Sequence, residues 1–108
     1  MTDNSKIAYE KALDIFGFGK FEEAAEAFRA IIKDDPAFTD AYEALGRVYY
    51  KLDRLDEAIR CIERLAELKP NYAMAHTNLS IFYMKKGMKE KAEEEKAKAI
   101  VLNFGKKP

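Results

Sequence analysis

The sequence has few of the residues that carry catalysis, metal binding or covalent cross-links. It contains one cysteine, Cys61, one histidine, His76, and no tryptophan. A single cysteine excludes a disulfide within the chain and a cysteine-rich metal site, and a lone histidine leaves no second imidazole for activating a nucleophile. Gly17 and Gly19 flank Phe18 but lack the strand and the further glycine of a dinucleotide-binding loop. The sequence therefore predicts no metal, no cofactor, no catalytic residue and no enzymatic activity.

The chain also lacks net charge and a long apolar run. Its 108 residues include 19 basic and 19 acidic side chains, which disfavours nucleic acid and an anionic membrane as partners. No apolar run approaches the length of a membrane span, and the start lacks the pattern of a signal peptide, so we expect a cytoplasmic protein. The charge is unevenly distributed, with 5 basic and 8 acidic residues in 1–38 but 8 and 4 in 73–108. Two interpretations stay open, a solvated end face and head-to-tail self-association.

What the sequence does contain is a 34-residue period. Residues of the same kind recur at this spacing in four sets: Ala24, Ala58 and Ala92; Gly19, Asp53 and Gly87; Pro36 and Pro70, with Phe104 at the third place; and the small residues Ala12, Gly46 and Ser80. Within each unit, apolar residues follow one another at steps of three and four, as one buried face of a helix requires. This pattern predicts two helices per unit, near 5–17, 21–34, 39–51, 55–68, 73–86 and 89–103.

The breaks between these helices have a chemical explanation. Gly19, Asp53 and Gly87 stand where the first helix of each unit must end in a turn, a place that often needs a left-handed backbone. Pro36 and Pro70 follow the second helices, because proline cannot continue the helical hydrogen-bond ladder. The small residues Ala12, Gly46 and Ser80 would let the two helices of a unit approach closely.

The unit resembles the tetratricopeptide repeat. The resemblance rests on Leu45, Gly46 and Tyr49, followed by Ala58 and Pro70, and it extends over three copies. It implies an all-α, right-handed solenoid of three helix-turn-helix repeats with six antiparallel helices. One domain would cover 1–108, with repeat one at about 5–38, repeat two at 39–72 and repeat three at 73–106. His76 falls where the family often has a packing aromatic, so we expect a buried or half-buried structural histidine.

The outer faces of the first and last helices are expected to be polar. Lys11 and Asp14 on the first helix stand at places that are apolar in repeats two and three. Glu93 and Lys96 on the last helix stand at places that are apolar in repeats one and two. A terminal repeat has no neighbour to cover such a face, so polar residues are tolerated there. The pattern predicts a finished three-repeat protein whose last helix serves as its own cap.

The resemblance also implies a concave groove lined by the first helix of each repeat, where the family binds an extended peptide or a partner helix. The candidate partner-binding residues are Tyr9, Leu13, Phe16, Glu43, Arg47, Tyr50, Lys51, Met74, Thr77, Ile81 and Met84. The row of Phe16, Tyr50 and Met84 could belong to the groove or partly to the core. Because apolar residues dominate these places, we expect a largely apolar segment, with one acidic group to meet Arg47 and Lys51.

Some family members hold the C-terminal carboxylate of chaperone tails in a clamp of basic and amide side chains. The corresponding places here are Tyr9, Leu13, Ala44, Met74 and Asn78, of which only Asn78 fits that pattern, so no such clamp is expected. Three functions are left open: an adaptor that binds a partner protein in the groove, a homo-oligomeric scaffold that uses the same groove, and, less favoured, an RNA-binding helical repeat.

Overall fold

The computed structural model describes residues 3–104 and is all-α in that part of the chain. Consecutive helices pack against each other along the chain. Their bounds are α1 Asp3–Gly17, α2 Phe21–Asp34, α3 Thr39–Lys51, α4 Leu55–Leu68, α5 Ala73–Lys85 and α6 Lys89–Phe104. The six predicted helices are confirmed, and their ends differ from the prediction by at most two residues.

The turns inside the three repeats have the left-handed backbone that the sequence predicts. The φ angles are +80° at Gly19, +60° at Asp53 and +83° at Gly87. At the first turn, the amide of Lys20 donates to the carbonyl of Ile15 at 3.2 Å, which satisfies a carbonyl at the end of α1. Each first helix is therefore stopped by the same short turn, and the second helix returns along it.

The close approach of the two helices is clearest in repeat two. A Cβ atom added to Gly46 would lie 2.7 Å from Cδ1 of Ile62 and 3.5 Å from the carbonyl oxygen of Ala58. Ala58 itself is 0% exposed. Because Gly46 has no side chain, the backbone of α3 packs directly against the Ile62 side chain of α4. Ser80, at the same place in repeat three, is only half-buried and lines an open cleft.

The core lies along the middle of the array, because α2, α3, α4 and α5 each have a neighbouring helix on two sides. The largest fully buried side chains are Phe28, Val48, Ile62 and Leu65. Each such side chain contributes about 1.5–3 kcal/mol when it leaves water. The apolar pattern at steps of three and four thus becomes one continuous core under the three repeats.

The outer faces are less uniformly polar than the sequence analysis expects. Lys11, Asp14, Glu93 and Lys96 are exposed, as predicted. The two ends of the array, however, also expose large apolar residues, among them Ile7 at 51% on α1, Phe18 at 81% in the turn after α1, and Ile100 at 46% on α6. The expectation of polar end faces is therefore wrong for part of each face, and self-capping by α6 stays a prediction.

Candidate functional site

The predicted groove residues all lie on α1, α3 and α5, and none of them is fully buried. Those that the structure exposes are Leu13, Arg47, Lys51, Met74, Ile81 and Met84. Those that it leaves half-buried are Tyr9, Phe16, Glu43, Tyr50 and Thr77. The first helices therefore present a mixed surface of exposed apolar side chains, cations and partly covered aromatic rings.

The row of Phe16, Tyr50 and Met84 is divided between core and surface. The ring of Tyr50 stacks on Phe82 with 5.1 Å between centroids, and Phe16 packs against Phe21 at 5.5 Å. Met84 is 49% exposed. Phe16 and Tyr50 are thus partly structural, and Met84 offers about half of its surface to a ligand.

Tyr9 contributes its ring to the core and its hydroxyl to the polar part of the site. Its ring meets Phe38 edge to face, with 5.3 Å between centroids. Burial raises the pKa of the Tyr9 phenol, and the nearby carboxylates of Asp40 and Glu43 raise it further, while Arg47 opposes them. The phenol of Tyr9 is therefore neutral and stands close to charged groups of α3.

Glu43 is the centre of a polar network on α3. Its carboxylate accepts a hydrogen bond from the Tyr72 hydroxyl at 2.9 Å and one from the Asn78 amide at 3.4 Å. The guanidinium of Arg47 lies 3.9 Å away. Burial and the hydrogen bond to Glu43 raise the pKa of Tyr72 to about 12. This network holds Glu43 in place, while the Arg47 side chain beside it stays 60% exposed.

Tyr72 is a residue that the sequence analysis omitted from the site. The sequence does indicate this contact, because Phe38 and Tyr72 are aromatic residues 34 positions apart. Phe38 contacts Tyr9 and Tyr72 contacts Glu43, and these two partners are also 34 positions apart. Each aromatic residue before a first helix packs against the first helix of the preceding repeat. The repeat register alone could have predicted this contact.

A cleft of about 680 Å³ lies between α5 and α6. Four predicted groove residues line it, namely Tyr50, Thr77, Ile81 and Met84. Its other wall belongs to α6 and includes Ile100, which the sequence analysis also missed. Ile100 stands 34 residues after Ala66 and 68 after Ile32, and both of these residues are half-buried. The 34-residue period therefore indicates that the place of Ile100 is one that a neighbouring repeat covers.

Cations stand beside the apolar surface. The side chain of Arg47 is 60% exposed, and Lys51 and Lys85 are exposed at the ends of α3 and α5. The ammonium of Lys85 lies 5.7 Å from the centre of the Tyr50 ring. A carboxylate arriving at this part of the site would thus meet positive charge.

His76 and Cys61, the residues outside the groove whose side chains are the most reactive types, both lie in surroundings that favour a structural role. His76 is half-buried, as expected, and its Nδ1 lies 2.7 Å from Oε1 of Glu95. Burial raises the pKa of Cys61 to about 12, so its thiol stays protonated at neutral pH. Within residues 3–104 there is no group of three or more side chains able to hold a metal ion, and none of the helices there is long and apolar enough to cross a membrane.

A family model of the tetratricopeptide repeat matches residues 16–79. The chain belongs to the tetratricopeptide repeat family. Among curated relatives it is 33% identical to the peroxisomal targeting signal receptor of Pichia angusta over 85 residues, which is 78% of this chain and 15% of that protein. It is 35% identical over 90 residues to a probable UDP-N-acetylglucosamine peptide N-acetylglucosaminyltransferase of Arabidopsis thaliana, of which it spans 9%. The chain thus corresponds to a small part of these relatives.

Solved structures show the same architecture. A MamA structure superposes with a TM-score of 0.91 at 25% identity, covering 94% of this chain and 60% of that one. The type III secretion translocator chaperone SycD of Yersinia enterocolitica superposes with a TM-score of 0.92 at 22% identity, covering 100% of this chain and 80% of that one. The predicted all-α solenoid of helical repeats is confirmed by these superpositions, whereas the groove residues stay predictions.

Proposed function

We propose that this protein is a non-catalytic protein-interaction module, which binds an apolar segment of a partner protein along the groove of α1, α3 and α5. The observation that carries the proposal is a set of four large apolar side chains on these helices that are exposed to water. They are Leu13 at 36%, Met74 at 46%, Ile81 at 47% and Met84 at 49%. Apolar side chains grouped on one surface of a small protein generally mark an interface.

The charges beside this surface indicate what kind of segment fits. Arg47, Lys51 and Lys85 are exposed, while Glu43 is held by Tyr72 and by other groups of the protein itself. An incoming carboxylate would therefore gain more than an incoming ammonium. The segment that fits is apolar and carries one acidic side chain, which would lie beside Arg47 and Lys51.

The geometry around Asn78 disfavours binding of a chain-terminal carboxylate. The Asn78 amide donates to Glu43, so this donor is engaged and stands next to a negative charge. Ala44, at another place of the clamp pattern, is only 6% exposed. Tyr9, Leu13 and Met74 add no cation. A chaperone-tail clamp is therefore not part of the proposal.

The names of the relatives are in keeping with protein recognition. The relative from Pichia angusta is named as a receptor for a targeting signal, and the matched region covers 78% of this chain. Because the match spans 15% of that receptor, it supports recognition of a protein segment and leaves the identity of the segment open. RNA binding is disfavoured, since the formal net charge is zero and Asp40 and Glu43 lie among the few cations of the groove.

Selection from a displayed peptide library tests the proposal. We expect the wild-type chain to enrich apolar peptides that contain an acidic residue, with dissociation constants of roughly micromolar size because a three-repeat groove is short. The double variant Leu13→Ser with Ile81→Ser should lose binding while it keeps its helicity and melting temperature. Arg47→Glu should reverse the preference for acidic residues.

A matched control is Val101→Ser, which removes an apolar side chain that is 68% exposed on α6, outside the groove. This variant should bind the selected peptides as the wild type does. Peptide binding that survives the Leu13 and Ile81 changes would place the interface elsewhere, and unfolding of that double variant would mean that the two side chains belong to the core. Binding of a second copy in the groove would show as self-association that the Leu13→Ser change removes.

A further inference from the structure

The two ends of the array carry faces that complement each other. At the internal junctions, α2 packs against α3 and α4 packs against α5. Within residues 3–104, the equivalent faces of α6 and α1 lack such a neighbour. We propose that α1 of a second copy docks in the cleft between α5 and α6, so that copies associate head to tail and continue the solenoid. The cleft shares Tyr50, Thr77, Ile81 and Met84 with the groove. The place of Leu13 and Ile81 stays exposed at the internal junctions, as Leu13 and Arg47 show, so variants at Leu13 and Ile81 separate the two proposals.

An ion pair at an internal junction gives the register of the proposed contact. Arg54 Nη1 lies 3.5 Å from Glu22 Oε1. Arg54 stands in the turn between α3 and α4 of repeat two, and Glu22 stands at the start of α2 in repeat one. At the end of the array, the place of Glu22 is taken by Glu90. The place of Arg54 is taken by Lys20 of the second copy. Both side chains are exposed, so docking would re-create the same pair of charges.

The middle of the junction offers a second charge pair. Arg29 Nη1 lies 2.7 Å from the Tyr49 hydroxyl, which sets α2 and α3 side by side at this level. One place earlier on each of these helices stands an apolar side chain that is 0% exposed. At the ends of the array these two places are held by Lys96 on α6 and by Asp14 on α1. Two buried apolar side chains are thus replaced by residues of opposite sign, which the same register would bring to the docked junction.

Apolar side chains surround these charges on both faces. Ile7 on α1 is 51% exposed, and Phe18 in the turn that follows α1 is 81% exposed. In the cleft, Met84 is 49% exposed and Ile100 is 46% exposed. Docking would cover these four side chains, because each of them has a counterpart at the same place of an internal junction that is buried or half-buried. The combination is typical of an interface with an apolar part and a charged part.

The side chains of α1 and α6 also differ in size from those at the same places of the internal helices. Ile7 stands at the place of Ala41 and Ala75, which are 0% exposed at the internal junctions. Ala99 stands at the place of Leu65, which is 1% exposed. At these places α1 therefore carries a larger side chain, and α6 a smaller one, than the internal helices do.

The charge of the whole chain favours the same arrangement. The first 38 residues carry three more acidic than basic side chains, and residues 73–108 carry four more basic than acidic ones. Opposite ends would attract each other in dilute salt and less so in concentrated salt. Because the two faces differ, the contact is heterologous, and association extends the array instead of closing it as a dimer.

Sedimentation velocity of the 108-residue chain tests this proposal. From micromolar to millimolar concentration, we expect the mean mass to rise past that of a dimer, and concentrated sodium chloride should weaken association roughly tenfold through the two charge pairs. Ile7→Asp and Ile100→Asp should each abolish growth. An equimolar mixture of these two variants should form a discrete dimer, since one native junction remains and the other brings two introduced carboxylates together.

Controls separate this contact from the groove. The variants Leu13→Ser and Val101→Ser should associate as the wild type does. Should Ile7→Asp prove to be unfolded, Phe18→Ser takes its place as the test variant and should weaken association. A wild-type chain that stays monomeric at millimolar concentration would overturn the proposal. The proposal would also be overturned if either single aspartate variant forms long assemblies, if their mixture stays monomeric, or if Leu13→Ser abolishes association. Peptide binding in the groove is judged separately, by the Leu13 and Ile81 variants.

Discussion

The Tyr72 hydroxyl, just before α5, donates a 2.9 Å hydrogen bond to the Glu43 carboxylate in the middle of α3. This contact joins two segments that the repeat brings together and fixes an acidic group inside the candidate groove. Its removal by Tyr72→Phe should lower the free energy of unfolding by about 2 kcal/mol, because a partly buried carboxylate loses a donor. Urea unfolding measures the change.

Tyr83→Phe is a suitable comparison for this prediction. The Tyr83 hydroxyl lies 3.5 Å from Glu63, which is exposed, so its removal should cost less than removal of the Tyr72 hydroxyl. An equal loss for both variants would mean that the Glu43 network adds no stability of its own.

A second prediction concerns the turn of repeat three. Gly87 has a φ angle of +83°, and an added Cβ would meet no atom within 4 Å, so any cost of Gly87→Ala comes from the backbone alone. We expect a loss of about 1–2 kcal/mol in unfolding free energy. Gly17, the last residue of α1, also has no atom within 4 Å but has no left-handed backbone, so Gly17→Ala should be neutral or slightly stabilising. Thermal melts that shift equally for both variants would contradict the assigned turn conformation.

A third prediction tests the close approach of α3 and α4. Gly46→Ala places a methyl group against Cδ1 of Ile62, which is fully buried and has little room to move. Ile62→Val removes that Cδ1 atom and should by itself cost about 1 kcal/mol. The double variant should be more stable than the sum of the two single effects predicts. Strict additivity in this double-mutant cycle would show that the two side chains do not compete for space.

The fourth prediction concerns the dependence of stability on pH. Burial would raise the pKa of Glu95, but hydrogen bonds with His76 and Lys98 outweigh it, so its pKa lies below the ordinary 4.5. A carboxylate of this kind stabilises the fold above its unfolded pKa and loses that contribution as the pH falls through its folded pKa. Glu95→Gln should therefore cost about 2 kcal/mol at pH ~7 and progressively less below pH ~4.5. The exposed Glu94 provides the control, since Glu94→Gln should show no such trend.

The fold could be predicted almost completely from the sequence, because every repeat marks its own turns. Gly19, Asp53 and Gly87 give the ends of the first helices, and Pro36 and Pro70 the ends of the second. These are local signals that depend on backbone geometry, so they can be recognised without knowledge of tertiary contacts.

The site could be predicted only in part, for a physical reason. Glu43 gains its partners from Tyr72 and Asn78, which lie 29 and 35 residues away, and such contacts depend on how the repeats pack. Ile100 was missed for another reason, since the polar residues Glu93 and Lys96 suggested that the whole face of α6 is polar. The half-buried state of Phe16 and Tyr50 likewise follows from packing between helices and could not be decided from spacing.

The most direct test of the central claim is a map of amide chemical-shift changes by nuclear magnetic resonance, as a peptide selected by the wild-type chain is added. If the groove is the binding surface, the largest changes should fall on Leu13, Arg47 and Ile81 and their neighbours on α1, α3 and α5, with little change around Val101. Changes centred on α2, α4 and the outer face of α6, with α1, α3 and α5 unaffected, would contradict the claim that this protein binds its partner in the groove.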